Sequence, residues 1–303
     1  MIKRTVEISQ RAARLSLRQG QLVIRLLEEE KDHVIPCEDI GVLLLQHPAI
    51  SITAAVLDAL LQAGAAVIIC NEKHLPSGML LPTISHTELV PRMWAQLTAS
   101  QPTRKNAWKL IVQAKIRAQA SLLTGSSQGK LMALAENTRS GDVENHEAQA
   151  ARIYWAALFP HQYEVGIKRD PLCDSLFNSM LNYGYSIIRA ATARALVSAG
   201  LQPALGIFHH RRDNPFCLAD DIMEPLRPLV DRMVKKLLED AVTGNDLQLT
   251  QIHRRHLLDL LTITVSFQET KGPLMAVLPR YIASFHRLLS KEAEVLHVPL
   301  MLP

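Results

Sequence analysis

The sequence predicts an α+β protein: a small β-rich N-terminal domain over residues 1–82, followed by a larger all-α domain over residues 83–303. Three observations predict it. Short alternating or wholly apolar runs, bounded by turn residues, crowd the first eighty positions. After Pro82 the texture shifts to Ala, Leu, Gln and Arg, and the strand signal fades. Beyond that point, segment after segment repeats apolar residues at helical spacing.

Residues 5–9 and 15–17 alternate as half-buried strands do, and Gln19-Gly20 breaks the chain before a second β-type run at 22–26. Two such runs around a glycine predict a hairpin. The apolar runs 42–45 and 66–69 predict buried strands. Between them, residues 52–63 predict a helix opened by Ser51 and closed by Gly64. Pro76-Ser77-Gly78 predicts a turn into one last short strand. In the second part, helices are expected over 89–97, 105–123, 130–136, 144–158, 172–199, 226–243, 249–267 and 275–289. Residues 125–129 and 137–142 are expected to be loops.

Composition narrows the class. Hydrophobic residues make up 48% and charged residues 20%, which supports a packed core and excludes disordered and coiled-coil chains. No apolar run approaches the roughly 20 residues of a membrane helix. The opening Met1-Ile2-Lys3-Arg4-Thr5-Val6-Glu7 lacks the apolar stretch of a signal peptide. Cys37, Cys70, Cys173 and Cys217 form no Cys-x-x-Cys pair, so neither a structural zinc nor a disulfide framework is expected. A cytoplasmic protein with reduced thiols, mostly core fillers, and no membrane partner follows.

Charge is unevenly spread. Residues 1–82 hold 8 Lys/Arg and 9 Asp/Glu, a net of −1, whereas residues 83–303 hold 25 and 20, a net of +5. No acid occurs from Leu89 to Ala135, yet Arg92, Arg104, Lys105, Lys109, Lys115, Arg117 and Lys130 lie there. Such a stretch is either a polyanion-binding face or a solvated face with acids nearby in space. Arg104, Lys105 and Lys109 are the first candidates for DNA phosphate contacts. Arg211, Arg212 and the helix around 232–236 offer an alternative path.

Three places could carry chemistry. On a helix, Glu147, Ala151, Tyr154 and Leu158 share one face, apolar except for Glu147. A carboxylate there needs a partner or a cation. The alternative sets Glu147 in an exposed first turn, favouring the helix N-terminus. Tandem His209 and His210 follow a bend in Gly206-Ile207-Phe208-His209-His210-Arg211-Arg212. They read as metal ligands or as surface histidines beside two arginines. Asp221 and Glu224 are three apart and share a helical face, or else form a capping box. Pro228 makes the start of that helix ambiguous. Together the three places supply a histidine and two or three carboxylates, a set that suits Mg²⁺ or Mn²⁺ better than zinc. In a basic helical domain this suggests metal-assisted phosphodiester chemistry. An aromatic content of 5% argues against a base-stacking platform.

These residues carry a resemblance. Glu147-Ala148-Gln149-Ala150-Ala151-Arg152-Ile153-Tyr154-Trp155 resembles the glutamate helix of the CRISPR spacer-acquisition integrase and endonuclease, the Cas-one family. Asn178-Ser179-Met180-Leu181-Asn182-Tyr183-Gly184-Tyr185 is similar to its Leu-Asn-Tyr-Gly-Tyr helix. Gly206-Ile207-Phe208-His209, with Asp221-Ile222-Met223-Glu224-Pro225-Leu226-Arg227-Pro228, resembles its histidine loop and acidic helix. The resemblance spans essentially the whole chain, and the short C-terminus is most similar to type II members. One departure is Asp174-Ser175-Leu176-Phe177, more acidic than in many members.

The resemblance implies that Glu147, His209 and Glu224 are catalytic metal ligands for Mg²⁺ or Mn²⁺, with Asp221 an accessory and His210 the rival histidine. It implies transesterification, in which the 3′-hydroxyl of a captured fragment attacks a phosphodiester at the border of a repeat, as a step in prokaryotic antiviral immunity. The implied partners are double-stranded DNA (fragment and repeat), a second copy of the chain, a dimer of a small Cas-two family protein completing a hetero-hexamer, and further type II CRISPR proteins. The N-terminal domain would be the dimerisation unit and the helical domain the catalytic one. Two rivals remain: a metal-dependent nuclease for branched DNA in repair, and a non-catalytic nucleic-acid-binding scaffold.

Overall fold

The computed structural model describes residues 3–302 apart from 28, 30, 73, 75, 84–86, 165, 167, 168, 174 and 240–247. Asp174 therefore lies outside the described residues. The chain opens with β1 (Arg4–Ile8). Gln19 and Gly20 take positive φ, 51° and 73°, and close β2 (Ala13–Arg18) and β3 (Gln21–Leu26) into the expected hairpin, with Arg18 opposite Gln21. Next come β4 (His33–Pro36), β5 (Ile40–Leu45), β6 (Ile50–Ile52), α1 (Ala54–Gln62), β7 (Ala66–Cys70) and β8 (Pro76–Leu80). They form two four-stranded sheets, in the orders β1-β5-β7-β8 and β4-β3-β2-β6.

The wholly apolar run in β5 is explained by burial on both sheet faces. Leu43 and Leu45 pack with the second sheet and α1, while Val42 and Leu44 pack into the core of the helices. The capped helix is α1, but Thr53 stands at its N-cap and Ser51 belongs to β6. Gly64, at φ 73°, ends it as expected. Pro76-Ser77-Gly78 lies within β8 itself, not in a turn before it.

The second part is built from α2 (Leu89–Thr98), α3 (Gln101–Ala120), α4 (Gly125–Asn137), α5 (His146–Leu158), α6 (Pro160–Glu164), α7 (Leu176–Ser198), α8 (Cys217–Met223), α9 (Arg227–Glu239), α10 (Gln251–Leu258) and α11 (Leu274–Leu289). Residues 240–243 of the helix expected over 226–243 are outside the described set. Residues 125–129 are helical, not a loop. Their glycines and serines are poor helix formers, but burial of Leu131 and Ala135 holds the helix. The helix expected over 249–267 stops at Leu258; β9 (Thr264–Phe267) follows and pairs with β10 (Thr270–Pro273) and β11 (Leu300–Met301). The helical part thus carries a small sheet. The β-branched run Thr262-Ile263-Thr264-Val265 is strand chemistry that the helical spacing concealed.

The two parts share buried contacts. Gln46 donates to the Tyr183 hydroxyl at 2.7 Å, and Arg194 donates to the Gly64 carbonyl at 2.6 Å. Buried α7 and α3 form the middle of the helical core. Cys37 and Cys217 are buried, and Cys70 is half-buried with its thiol pushed up to about 12 by burial. Cys173 is exposed and is the cysteine that fills no core. Among the described residues, no helix is long and apolar enough to cross a membrane.

Candidate metal centre

In α3, Trp108, Ile111, Val112, Ile116 and Gln119 form a buried stripe at helical spacing, and Lys115 lies on it. A lysine there must find carboxylates. Its Nζ stands 2.5 Å from Glu147 Oε1 and 2.5 Å from Glu224 Oε2. Glu147 comes from the first turn of α5, where Asp142 accepts the amides of His146 and Glu147 and so fixes the helix start. It therefore sits in the first turn and yet points inward, combining both sequence readings. Glu224 opens a 3-10 turn between α8 and α9, with Pro225 at a position that needs no N–H. Pro228 lies in the first turn of α9, where the same applies.

Glu224 is 4% exposed. Burial pushes its carboxyl up, but Arg227 and Lys115 pull harder and hold it well below the usual carboxylate range. Arg227 donates to Oε1 at 2.8 Å. The other oxygen, Oε2, receives no hydrogen bond of good angle, so its contact with Lys115 is coulombic. A buried anionic oxygen without a directional donor, beside a second glutamate, fits a hard divalent cation.

The histidine loop is folded around one carboxylate. Asp221, fully buried, accepts the amides of Ile207, Phe208 and His209 at 2.7, 3.0 and 3.1 Å. It also holds His209 Nδ1 at 2.6 Å. That bond leaves Nε2 as the ring's remaining ligand atom. Asp221 and, more weakly, nearby Glu224 raise the imidazole's affinity for a proton. Gly206 makes the loop possible: a Cβ there would stand 2.2 Å from the His209 carbonyl oxygen. Phe208 stacks on Trp108 with centroids 4.0 Å apart, and Trp108 meets the edge of His209.

The structure therefore brings Glu147 and Glu224 together on Lys115 and sets His209 on Asp221. Among the described residues, no three of His, Cys, Asp and Glu converge closely enough to cage a metal ion. Asp221, the possible accessory ligand, serves the loop in this structure: its two oxygens accept four hydrogen bonds from Ile207, Phe208 and His209. His210 is exposed and turned to a cleft of about 320 Å³ that it lines with Arg104, Lys105, Trp108 and Phe208. A cavity of about 750 Å³ lies elsewhere, between β1 and α10.

The basic stretch also divides. Arg92 donates to the Ala199 carbonyl at the end of α7, and Arg104 to Leu97 at the end of α2. Arg104 thus serves a helix end, and it also lines the cleft with Lys105 and His210. Lys115 has its carboxylates. Lys105 is exposed and Lys109 half-buried. Arg211 forks onto Asp213, both exposed, and Arg212 is exposed.

The pattern of the CRISPR associated protein Cas1 family matches residues 6–258, a span that takes in Glu147, Asp221, His209 and Glu224. The chain belongs to the Cas1 family. It is 37% identical over 299 residues to the CRISPR-associated endonuclease Cas1 of Neisseria meningitidis serogroup C (strain 8013), covering 97% of this chain and 95% of that relative. In fold it is similar to a casposase bound to its integration product, with a TM-score of 0.81, 20% identity, and coverage of 97% and 92%. It is also similar to a chain of a Cas6-RT-Cas1–Cas2 complex, with a TM-score of 0.75, 19% identity, and coverage of 96% of this chain and 35% of that one.

Sequence reasoning passed over several residues that shape this Cas1 centre. Lys115 was only one of seven bases, although the apolar stripe around it was a readable signal. Asp231 of α9 accepts Tyr185 at 2.5 Å and Tyr154 at 2.8 Å, all three buried. Arg227 lies 4.7 Å over the Tyr185 ring, so this trio backs the arginine that grips Glu224. No sequence signal links three residues that far apart along the chain.

Proposed function

We propose that this Cas1 chain is a divalent-metal-dependent DNA integrase and endonuclease that inserts captured DNA fragments into a CRISPR repeat array. The observation that carries the reading is the meeting of Glu147 and Glu224 at one buried cationic point beside a histidine whose Nδ1 is held by Asp221. Glu147, Glu224 and His209 Nε2 would hold Mg²⁺ or Mn²⁺. When bound, such an ion lowers the pKa of an attacking hydroxyl and neutralises charge on the scissile phosphate. The 3′-hydroxyl of the fragment attacks a phosphodiester of the repeat. One P–O bond forms as another breaks, and the hydroxyl proton passes through solvent to the departing 3′-oxygen. The chain's own work is positioning: Asp221 orients the imidazole, Arg227 anchors Glu224, and Lys105 lines the neighbouring cleft along which DNA would lie. With water as nucleophile, the same site cuts.

The likeness to a casposase bound to its integration product and to a chain of a Cas1–Cas2 complex supports partnership with DNA and with a Cas2-type protein; the further proposal is an assembly of two homodimers with a Cas2-type dimer, working in the cytoplasm. The N-terminal sheets are the proposed dimerisation unit. The test is a fragment-joining assay with Mg²⁺ or Mn²⁺. Glu147→Ala, His209→Ala and Glu224→Ala should abolish joining while DNA binding survives, and His210→Ala should be much milder. Cuts without covalent joints would favour a repair nuclease. No activity with any metal would favour a scaffold.

A further inference from the structure

We propose that Lys115 is the internal counter-cation of this centre: its ammonium occupies the cation position between Glu147 and Glu224, and a divalent metal must displace it. The proposal rests on the reading of the two glutamates as metal ligands.

Geometry carries it. One Nζ stands 2.5 Å from an oxygen of each glutamate, and these are the oxygens a cation would need. The lysine side chain is 11% exposed and the Glu224 side chain 5%, so little water screens the pair. Two carboxylates this close would repel each other without a cation between them. The two bases that touch Glu224 differ in kind. Arg227 donates to Oε1 and lies over Tyr185, so it is held from two sides. Lys115 offers a point charge on a flexible four-carbon stem; it donates one hydrogen bond, to Glu147 Oε1, and makes none of good angle to Glu224 Oε2. Toward Glu224 the contact is strong in charge and weak in direction, which suits a group that can withdraw from that side. Arg227 stays; Lys115 yields. Lysine and metal then share one position, and their coupling is negative and reciprocal. The metal-free protein keeps its glutamates aligned, and the lysine sets how much metal is needed to fill the centre.

The experiment is Mn²⁺ binding by calorimetry, with thermal unfolding with and without Mn²⁺, on wild type, Lys115→Met, Lys115→Arg and Glu224→Gln. Lys115→Met should bind Mn²⁺ about tenfold or more tightly than wild type, a typical coupling. It should also unfold at lower temperature without metal and recover with it. Lys115→Arg should bind no more tightly than wild type. Equal or weaker Mn²⁺ binding by Lys115→Met overturns the proposal while leaving the metal reading intact. Wild-type binding that Glu224→Gln does not reduce removes the metal reading, and the proposal with it. If Lys115→Met does not fold, a crystal structure of wild type with Mn²⁺ decides: Nζ still in ion-pair contact with both glutamates would overturn displacement.

Discussion

Asp221 accepts four hydrogen bonds from one loop, three from amides and one from an imidazole. At the scale of a residue this makes it the most consequential acid in the site, although no ligand need touch it. Its bond is the largest influence raising His209's proton affinity, while burial works against it. The sign follows. The protonated pair adds stability that is fully present below the ordinary histidine value and lost as pH rises through the raised one. Metal ligation needs neutral imidazole, so metal-dependent joining should rise with pH through that raised value. Asp221→Asn should lower the His209 pKa, read by NMR titration of the ring, and shift the rise in joining to lower pH. It should also loosen the loop, because the amide nitrogen of Asn cannot accept an N–H. An unmoved titration would mean that Asp221 does not govern the histidine. The pairing of His209 with an acid twelve residues on could not be read from sequence, where Asp221 stood as an accessory to the ligands.

Between elements, α5, α7 and α9 meet at the trio of Tyr154, Tyr185 and Asp231. Burial pushes Asp231 up to about 6, against the pull of the two hydroxyls and Arg227. Its folded form therefore favours the proton. The stability this contributes is present below the ordinary value of 3.8 and lost as pH climbs through about 6. Asp231→Asn cannot ionise, so relative to wild type it should gain stability from pH 4 to pH 8, by up to about 3 kcal/mol. A constant gap between the two unfolding curves would contradict this. A second contact fixes the same helices. A Cβ on Gly184 would stand 2.4 Å from Val230 Cγ1. Gly184→Ala should destabilise by about 1–3 kcal/mol, and Val230→Ala in the same chain should recover part of the loss, measured by denaturant unfolding. Helices with one clear apolar stripe, such as α9 and α11, were legible in the sequence. The strand β9 was not, because its apolar residues continue the period of α10 and only their β-branching marks the change.

On the scale of the whole molecule, the division into strands before residue 82 and helices after it was legible from composition. The shared core was not, because burial of both faces of β5 depends on what packs against it. The same gap explains the basic stretch. Seven bases without a nearby acid read as a uniform face, yet Arg92 and Arg104 hold helix ends and Lys115 faces two distant glutamates. Lys105 and Lys109 lie one turn apart on α3, and Lys105 lines the cleft with Phe208 and His210. If DNA runs over this face, each phosphate deprived of its lysine should lower the slope of log affinity against log salt by about 0.9. The double variant Lys105→Ala/Lys109→Ala should therefore weaken binding to all sequences alike and flatten the slope by up to about 1.8. Its thermal unfolding should fall little, since Lys105 is exposed and Lys109 only half-buried, and such charges contribute little. Arg104→Ala should behave in the opposite way: the slope holds, and the unfolding temperature falls as α2 is left without the partner of its last carbonyls. A titration of the three proteins at several salt concentrations separates these outcomes. An unchanged slope in the double variant would move the DNA path to Arg211, Arg212 and α9.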